Sequence, residues 1–186
     1  MEVLEAIKTR RSIRKYKTTP VDDKTLGLIL DAARWAPSWA NTQCWRILVV
    51  SDSDIKSKLA DTLNDTNPAI GAIRKAPLVI VACAELGASG CYDGVPATDK
   101  GDWFMFDVAL AMQNLALAAH SLGLATVHIG RFDAKEIANI LKVPKGYCVV
   151  EVTPLGYPDQ QRDPRPRKEL SEIVFYNRFG VSEITG

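Results

Sequence analysis

Histidine is almost missing from this sequence. Only His120 and His128 occur among 186 residues. The four cysteines, Cys44, Cys83, Cys91 and Cys148, form no C-x-x-C pair. Nothing here has the ligand spacing of a zinc site, so no metal centre is expected. Cys83 and Cys148 lie in apolar runs and read as buried free thiols. Motifs for a Ser-His-Asp set, for paired carboxylates and for a G-x-G-x-x-G nucleotide turn are all missing. Net charge is missing too: 23 basic residues face 22 acidic ones, leaving +1. A protein that tracks nucleic-acid phosphates carries a basic stripe and a high pI, so nucleic acid is not an expected partner. No long apolar run reads as a membrane span. The nearest, 103–119, holds Asp107, Gln113 and Asn114 and fits a buried helix. The opening MEVLEAIKTRRS has early acids and no apolar core, so no signal peptide is expected. Reduced thiols and no leader give a cytoplasmic expectation.

What is present suits one globular domain over 1–186, with 47% hydrophobic and 24% charged residues. Helices are expected over 2–9, from Asp22 or Asp23 to just before Pro37, over about 53–64, over 102–123, and from the capping-box spacing DAKE at 133–136. Strands are expected at 46–51, 77–85, 124–129 and 147–156. The second is apolar at nearly every position, which suggests burial on both faces. Residues 86–101 read as a long loop of the kind that covers or selects a ligand. The stretch from 157 onward is first rich in Pro and Arg, then apolar again, and lacks a core of its own.

Four features can carry chemistry. RRSIRKYK at 10–17 packs five cations into eight residues with no acid among them. In a neutral chain it reads either as solvated surface or as a seat for one small anion, since Arg forks and the Ser12 hydroxyl suit phosphate oxygens. APSWANTQCW at 36–45 reads either as an ordinary polar loop or as small donors facing a flat heterocycle, walled by Trp35, Trp39 and Trp45. VHIGRFDA at 127–134 is either a tight strand-to-helix turn or a place where Gly130 lets a ligand approach the backbone. RDPRPRKEL at 162–170 is a second basic island or a solvated tail.

Taken together and in this order, these stretches resemble the nitroreductase-like family of FMN-dependent oxidoreductases. The resemblance runs over RRSIRKY (10–16), LILDAARWAPSWANTQCWRILVV (28–50), APLVIVACAE (76–85), DVALAMQNLALAAHSLGLATVHIGRFD (107–133) and LGYPDQQRDPRPR (155–167). It implies an α+β fold with an antiparallel-dominated sheet flanked by helices, in an intertwined homodimer with FMN at the interface. By motif position, Arg10, Arg11 and Ser12 would hold the phosphate and ribityl end of FMN, and Arg14 a ring edge. Pro37, Ser38, Trp39, Asn41 and Gln43 would come from the other subunit. Ile129, Gly130 and Arg131 would lie along the flavin, and Arg165 and Arg167 would complete the phosphate site. The 157–186 arm would embrace the partner. The implied activity moves hydride from NAD(P)H to flavin N5 and on to a nitroaromatic, quinone or other conjugated acceptor by a ping-pong route. A non-catalytic or specialised flavin-binding protein on the same fold is the alternative. A flavin enzyme needs no catalytic triad, because the cofactor carries the chemistry. Cys44 stands where many relatives have Pro. His128 and Arg131 stand where relatives often have apolar residues or glycine. Lys15 and Lys17 are expected to be plain solvated surface.

Overall fold

The computed structural model describes residues 1–181; the end of the expected arm, 182–186, lies outside the described residues. The helices are α1 (Val3–Thr9), α2 (Asp23–Arg34), α3 (Ser53–Asp61), α4 (Ile70–Lys75), α5 (Phe104–Ser121), α6 (Ala134–Leu141) and α7 (Leu170–Ile173). The strands are β1 (Trp45–Val50), β2 (Leu78–Glu85), β3 (Cys91–Tyr92), β4 (Val95–Pro96), β5 (Ala125–Thr126) and β6 (Tyr147–Gly156). The main sheet runs β1-β2-β6-β5, and every ladder in it is antiparallel. This is the expected α+β architecture.

β2 sits inside the sheet, and its alternation divides the core. Ile80, Ala82 and Ala84 pack with α2 and α5, while Val79, Val81 and Cys83 pack with α3, α4 and α6. That explains why β2 reads as apolar throughout: both of its faces are covered. Local chemistry sets several ends. Asp22, Asp52 and Asp133 each cap a helix by accepting from backbone N–H groups. Gly123 follows α5 with φ +80, a conformation that favours glycine.

Two expected elements differ. The strand over 124–129 pairs only at Ala125–Thr126 and touches the sheet again where Ile129 meets Val152. In between, Val127 turns into the second core cluster, which pulls the chain off the ladder. The 86–101 loop contains a small hairpin, with Cys91 opposite Pro96 and Tyr92 opposite Val95. Its tip is Asp93-Gly94, both at positive φ, the sequence pair that such tight turns prefer. α4 was not foreseen.

Two apolar stretches find no cover among the described residues. Val3, Leu4 and Ile7 of α1 are all exposed, Leu4 at 70%. Leu170, Ile173 and Phe179 of the arm are exposed as well. Contiguous exposed apolar surface of this kind marks an interaction face.

Candidate functional site

The basic run follows α1 as an extended segment, and the sheet edge holds it. Ile13 N–H donates to Thr126 O at 3.0 Å, Ser12 bridges Thr126 in parallel, and Tyr16 bridges Pro158. Ile13 and Tyr16 point inward among Ala72, Ala76 and Ala125. The Tyr16 hydroxyl ties the segment to itself through Ile13 O at 2.7 Å. With those two side chains as anchors, Arg10, Arg11, Ser12 and Arg14 line a cavity of about 180 Å³. Arg165 and Arg167 line the same cavity, together with Arg162 and Asp163 from the start of the second basic island. Lys15 and Lys17 are exposed, as expected.

This cavity concentrates six arginines against the single acid Asp163. Arg11 turns one nitrogen to Lys8 O at 2.7 Å and Arg10 O at 2.9 Å. Arg10 Nη1, Arg11 Nε and Arg14 Nε are buried with no hydrogen-bond partner among the described residues. Among the described residues, no carboxylate forms an ion pair with any of the arginines lining the cavity. Burial, then Arg11 and Arg167, lower the Arg10 pKa. Orphaned buried donors are costly, so a bound anion that meets them is strongly favoured.

A second cavity, of about 310 Å³, adjoins the first. Arg14 lines both. Val127, His128, Ile129, Gly130 and Arg131 form one wall. A Cβ placed on Gly130 would meet no protein atom within 4 Å, so glycine here leaves open space at the wall. Among the described residues, the backbone amides of Gly130 and Arg131 donate to no acceptor. His128 Nδ1 lies 2.5 Å from Glu151 Oε1, and the Thr153 hydroxyl donates to the same oxygen. Asn64, Thr66, Asn67 and Pro68 line the same cavity and were missed from sequence. Its signal was NDTNP, a dense polar turn ahead of an unforeseen helix. The Asn64 and Asn67 carbonyl oxygens already accept local N–H groups, which leaves their amide NH₂ groups to act as donors.

Pro37, Ser38, Trp39, Asn41 and Gln43 line neither cavity. Their turn is fastened near the N-terminus of α5, where Trp39 N–H donates to both oxygens of Asp107 at 3.2 Å. The basic segment is fastened near the other end, where Thr9 Oγ1 meets His120 Nε2 at 2.8 Å. Those attachment points are roughly 20 Å apart along the helix axis. A single chain therefore does not bring the turn and the cations to one place. The expected tryptophan walls also differ. Trp45 is core, and Trp35 is 72% exposed with its indole donating to Asp31. Only Trp39 stays with the turn, 5.6 Å from the Trp103 ring, which in turn meets Phe106 edge-on at 5.4 Å.

Other groups bear on what the site can do. Burial pushes the Cys44 thiol up to about 12 and Cys83 to about 11. Both stay protonated at neutral pH and are poor nucleophiles. His120 has its pKa lowered from 6.5 by burial, then by Arg10 and Arg11, against a raising influence from Glu5. The folded chain thus binds this proton less well than the unfolded chain. Apoprotein stability should rise with pH between the lowered value and 6.5, and His120 should add nothing above it. Denaturant titrations across that window should show a shallower slope for His120→Gln; an unchanged slope would contradict this.

Comparison with known proteins gives the arrangement its context. Residues 7–157 match the model of the nitroreductase family. The chain belongs to this family. A Methanothermobacter thermautotrophicus protein with a provisional NADH dehydrogenase/NAD(P)H nitroreductase name is 35% identical over 162 residues, 85% of this chain and 78% of that one. A nitroreductase family protein from Clostridium novyi superposes with a TM-score of 0.77 at 31% identity, covering 97% of this chain and 96% of that one. An FMN-dependent nitroreductase from Clostridium difficile gives 0.80 at 29% identity, covering 95% and 99%. An FMN reductase [NAD(P)H] from Bacillus subtilis is 29% identical over 181 residues, 89% of this chain and 70% of that one. Among the described residues, no group of three or more His, Cys, Asp or Glu could hold a metal ion, and no helix is long and apolar enough to cross a membrane.

Proposed function

We propose that the protein is an FMN-dependent NAD(P)H oxidoreductase that acts as a homodimer. The carrying observation is the double role of Arg14. It joins a cavity rich in unpaired cationic donors to a larger one lined by free backbone amides. The first suits a phosphate, and the second suits a planar ring with carbonyl oxygens and ring nitrogens at its edge. Bound FMN would supply the redox chemistry, a ping-pong hydride transfer through N5 from NAD(P)H to a nitroaromatic, quinone or other conjugated acceptor.

This chain's residues supply the binding and the field. Arg10, Arg11, Ser12, Arg165 and Arg167 hold the phosphate, where forked donors match its oxygens. Arg14 holds a permanent cation at the ring end, which favours negative charge there. Ile129 gives an apolar surface, and the Gly130 and Arg131 amides offer donors to the ring edge. Pro37, Ser38, Trp39, Asn41 and Gln43 serve the site of the partner subunit, which resolves their separation from the cations within one chain. The exposed face of α1 and the apolar arm bury against that partner.

Anaerobic mixing of the FMN-loaded protein with NADH and, separately, with NADPH tests the activity. At least one should bleach the visible flavin band, and a quinone or nitroaromatic should restore it. Flavin that binds but stays oxidised with both nicotinamides would contradict the oxidoreductase reading.

A further inference from the structure

Asp107 is a charged residue buried to 1% exposure in the first turn of α5. A buried carboxylate needs partners, and no cation pairs with it among the described residues. Three neutral donors meet it instead. The Ser89 hydroxyl donates to Oδ2 at 2.7 Å, the Trp39 N–H to both oxygens, and the Cys44 thiol to Oδ2 at 3.7 Å. Trp39 opens the polar turn and Cys44 closes it, whereas Ser89 belongs to the buried base of the 86–101 loop.

The turn needs this support. Ala40, Asn41 and Gln43 all have positive φ, at 43°, 58° and 48°. Non-glycine residues hold such conformations only where their surroundings enforce them. The loop is tied to the same place a second time, because the Trp103 ring packs against Trp39 at a tilt of 47° and the Trp103 backbone N–H donates to Ser89 O at 3.0 Å. Asp102 shuts the loop's neck by accepting from Gly87 N–H at 2.6 Å. Beyond that neck, residues 92–100 are exposed.

We propose that Asp107 is a positioning residue that locks the Trp39 turn to the base of the 86–101 loop, so that flavin binding on the turn orders the loop. This rests on the FMN reading above. The consequence is that acceptor access and flavin occupancy are energetically linked through one carboxylate, with no contact between Asp107 and either ligand.

The test combines FMN titration with trypsin cleavage after Lys100, whose side chain is 67% exposed in the loop, read by mass spectrometry. In the wild-type dimer, saturating FMN should slow that cleavage about tenfold, within the usual range of coupling between sites. Asp107→Asn should weaken FMN binding about tenfold and leave little protection even at saturation. Ser89→Ala, a milder change, should keep FMN affinity within about threefold yet lose most of the protection. Wild-type flavin affinity with full protection in both variants would overturn the coupling alone. Faster cleavage with and without FMN in equal ratio would also overturn it, since that marks a merely structural role. A wild-type protein that takes up no FMN would overturn the flavin reading and this proposal with it.

Discussion

Replacing Arg10 with Gln and Ser12 with Ala together should weaken FMN binding about 100- to 10,000-fold, as measured by fluorescence titration. Hydrogen bonds to a charged group contribute about 1.5–3 kcal/mol each, and two such donors are removed. The free protein should not suffer. Arg10 is desolvated and pushed by Arg11 and Arg167, with Nη1 unpartnered. Removing it relieves like-charge crowding, so the melting temperature of the apoprotein should hold steady or rise. Lost flavin with a retained Tm separates a binding role from a structural one. A Kd within about threefold of wild type would show that the phosphate lies elsewhere.

Gly156→Ala is expected to give a large loss of stability from a single methyl. A Cβ on Gly156 would stand 2.5 Å from Pro77 Cδ and 2.8 Å from Cγ. The proline ring cannot swing aside, because the neighbouring pair Leu78–Leu155 fixes β2 against β6. Overpacking of this kind costs about 1–3 kcal/mol, which for a chain of this size lowers Tm by roughly 2–12 °C. The damage should reach the site. Tyr16 Cδ1 lies 3.4 Å from the same position, and Tyr16 anchors the basic segment. FMN affinity should therefore fall with stability. Adding Pro77→Ala should recover part of the loss, since neighbouring changes couple; purely additive losses would contradict the clash.

The sheet and most helices were legible because their signals are local. β2 shows an unbroken apolar run, and Asp22 and Asp133 sit where caps belong. The cations were legible as a local excess of charge. What escaped the sequence depends on distance through space. Nothing in NDTNP shows that Asn64 and Asn67 line one cavity with Gly130. Asp107 looked like one polar break in an apolar helix. Its meaning appears only when Ser89, Trp39 and Cys44 converge on it from segments far apart in the chain. The Trp35 and Trp45 walls failed for a related reason: sequence adjacency to the turn does not fix side-chain direction, and the fold sent one to solvent and one to the core.

In the proposed homodimer, each FMN site takes its cations from one chain and its polar turn from the other. Mixed dimers test it directly. One chain carries Arg10→Gln and Ser12→Ala; the other carries Asn41→Asp and Gln43→Glu, which keep the turn's shape but replace its amide donors with charge. Each variant alone should bind FMN poorly. In the mixed dimer both lesions fall on one site and leave the other intact. The account predicts one FMN per mixed dimer, bound with wild-type affinity. A mixed dimer that binds no better than either parent would contradict it.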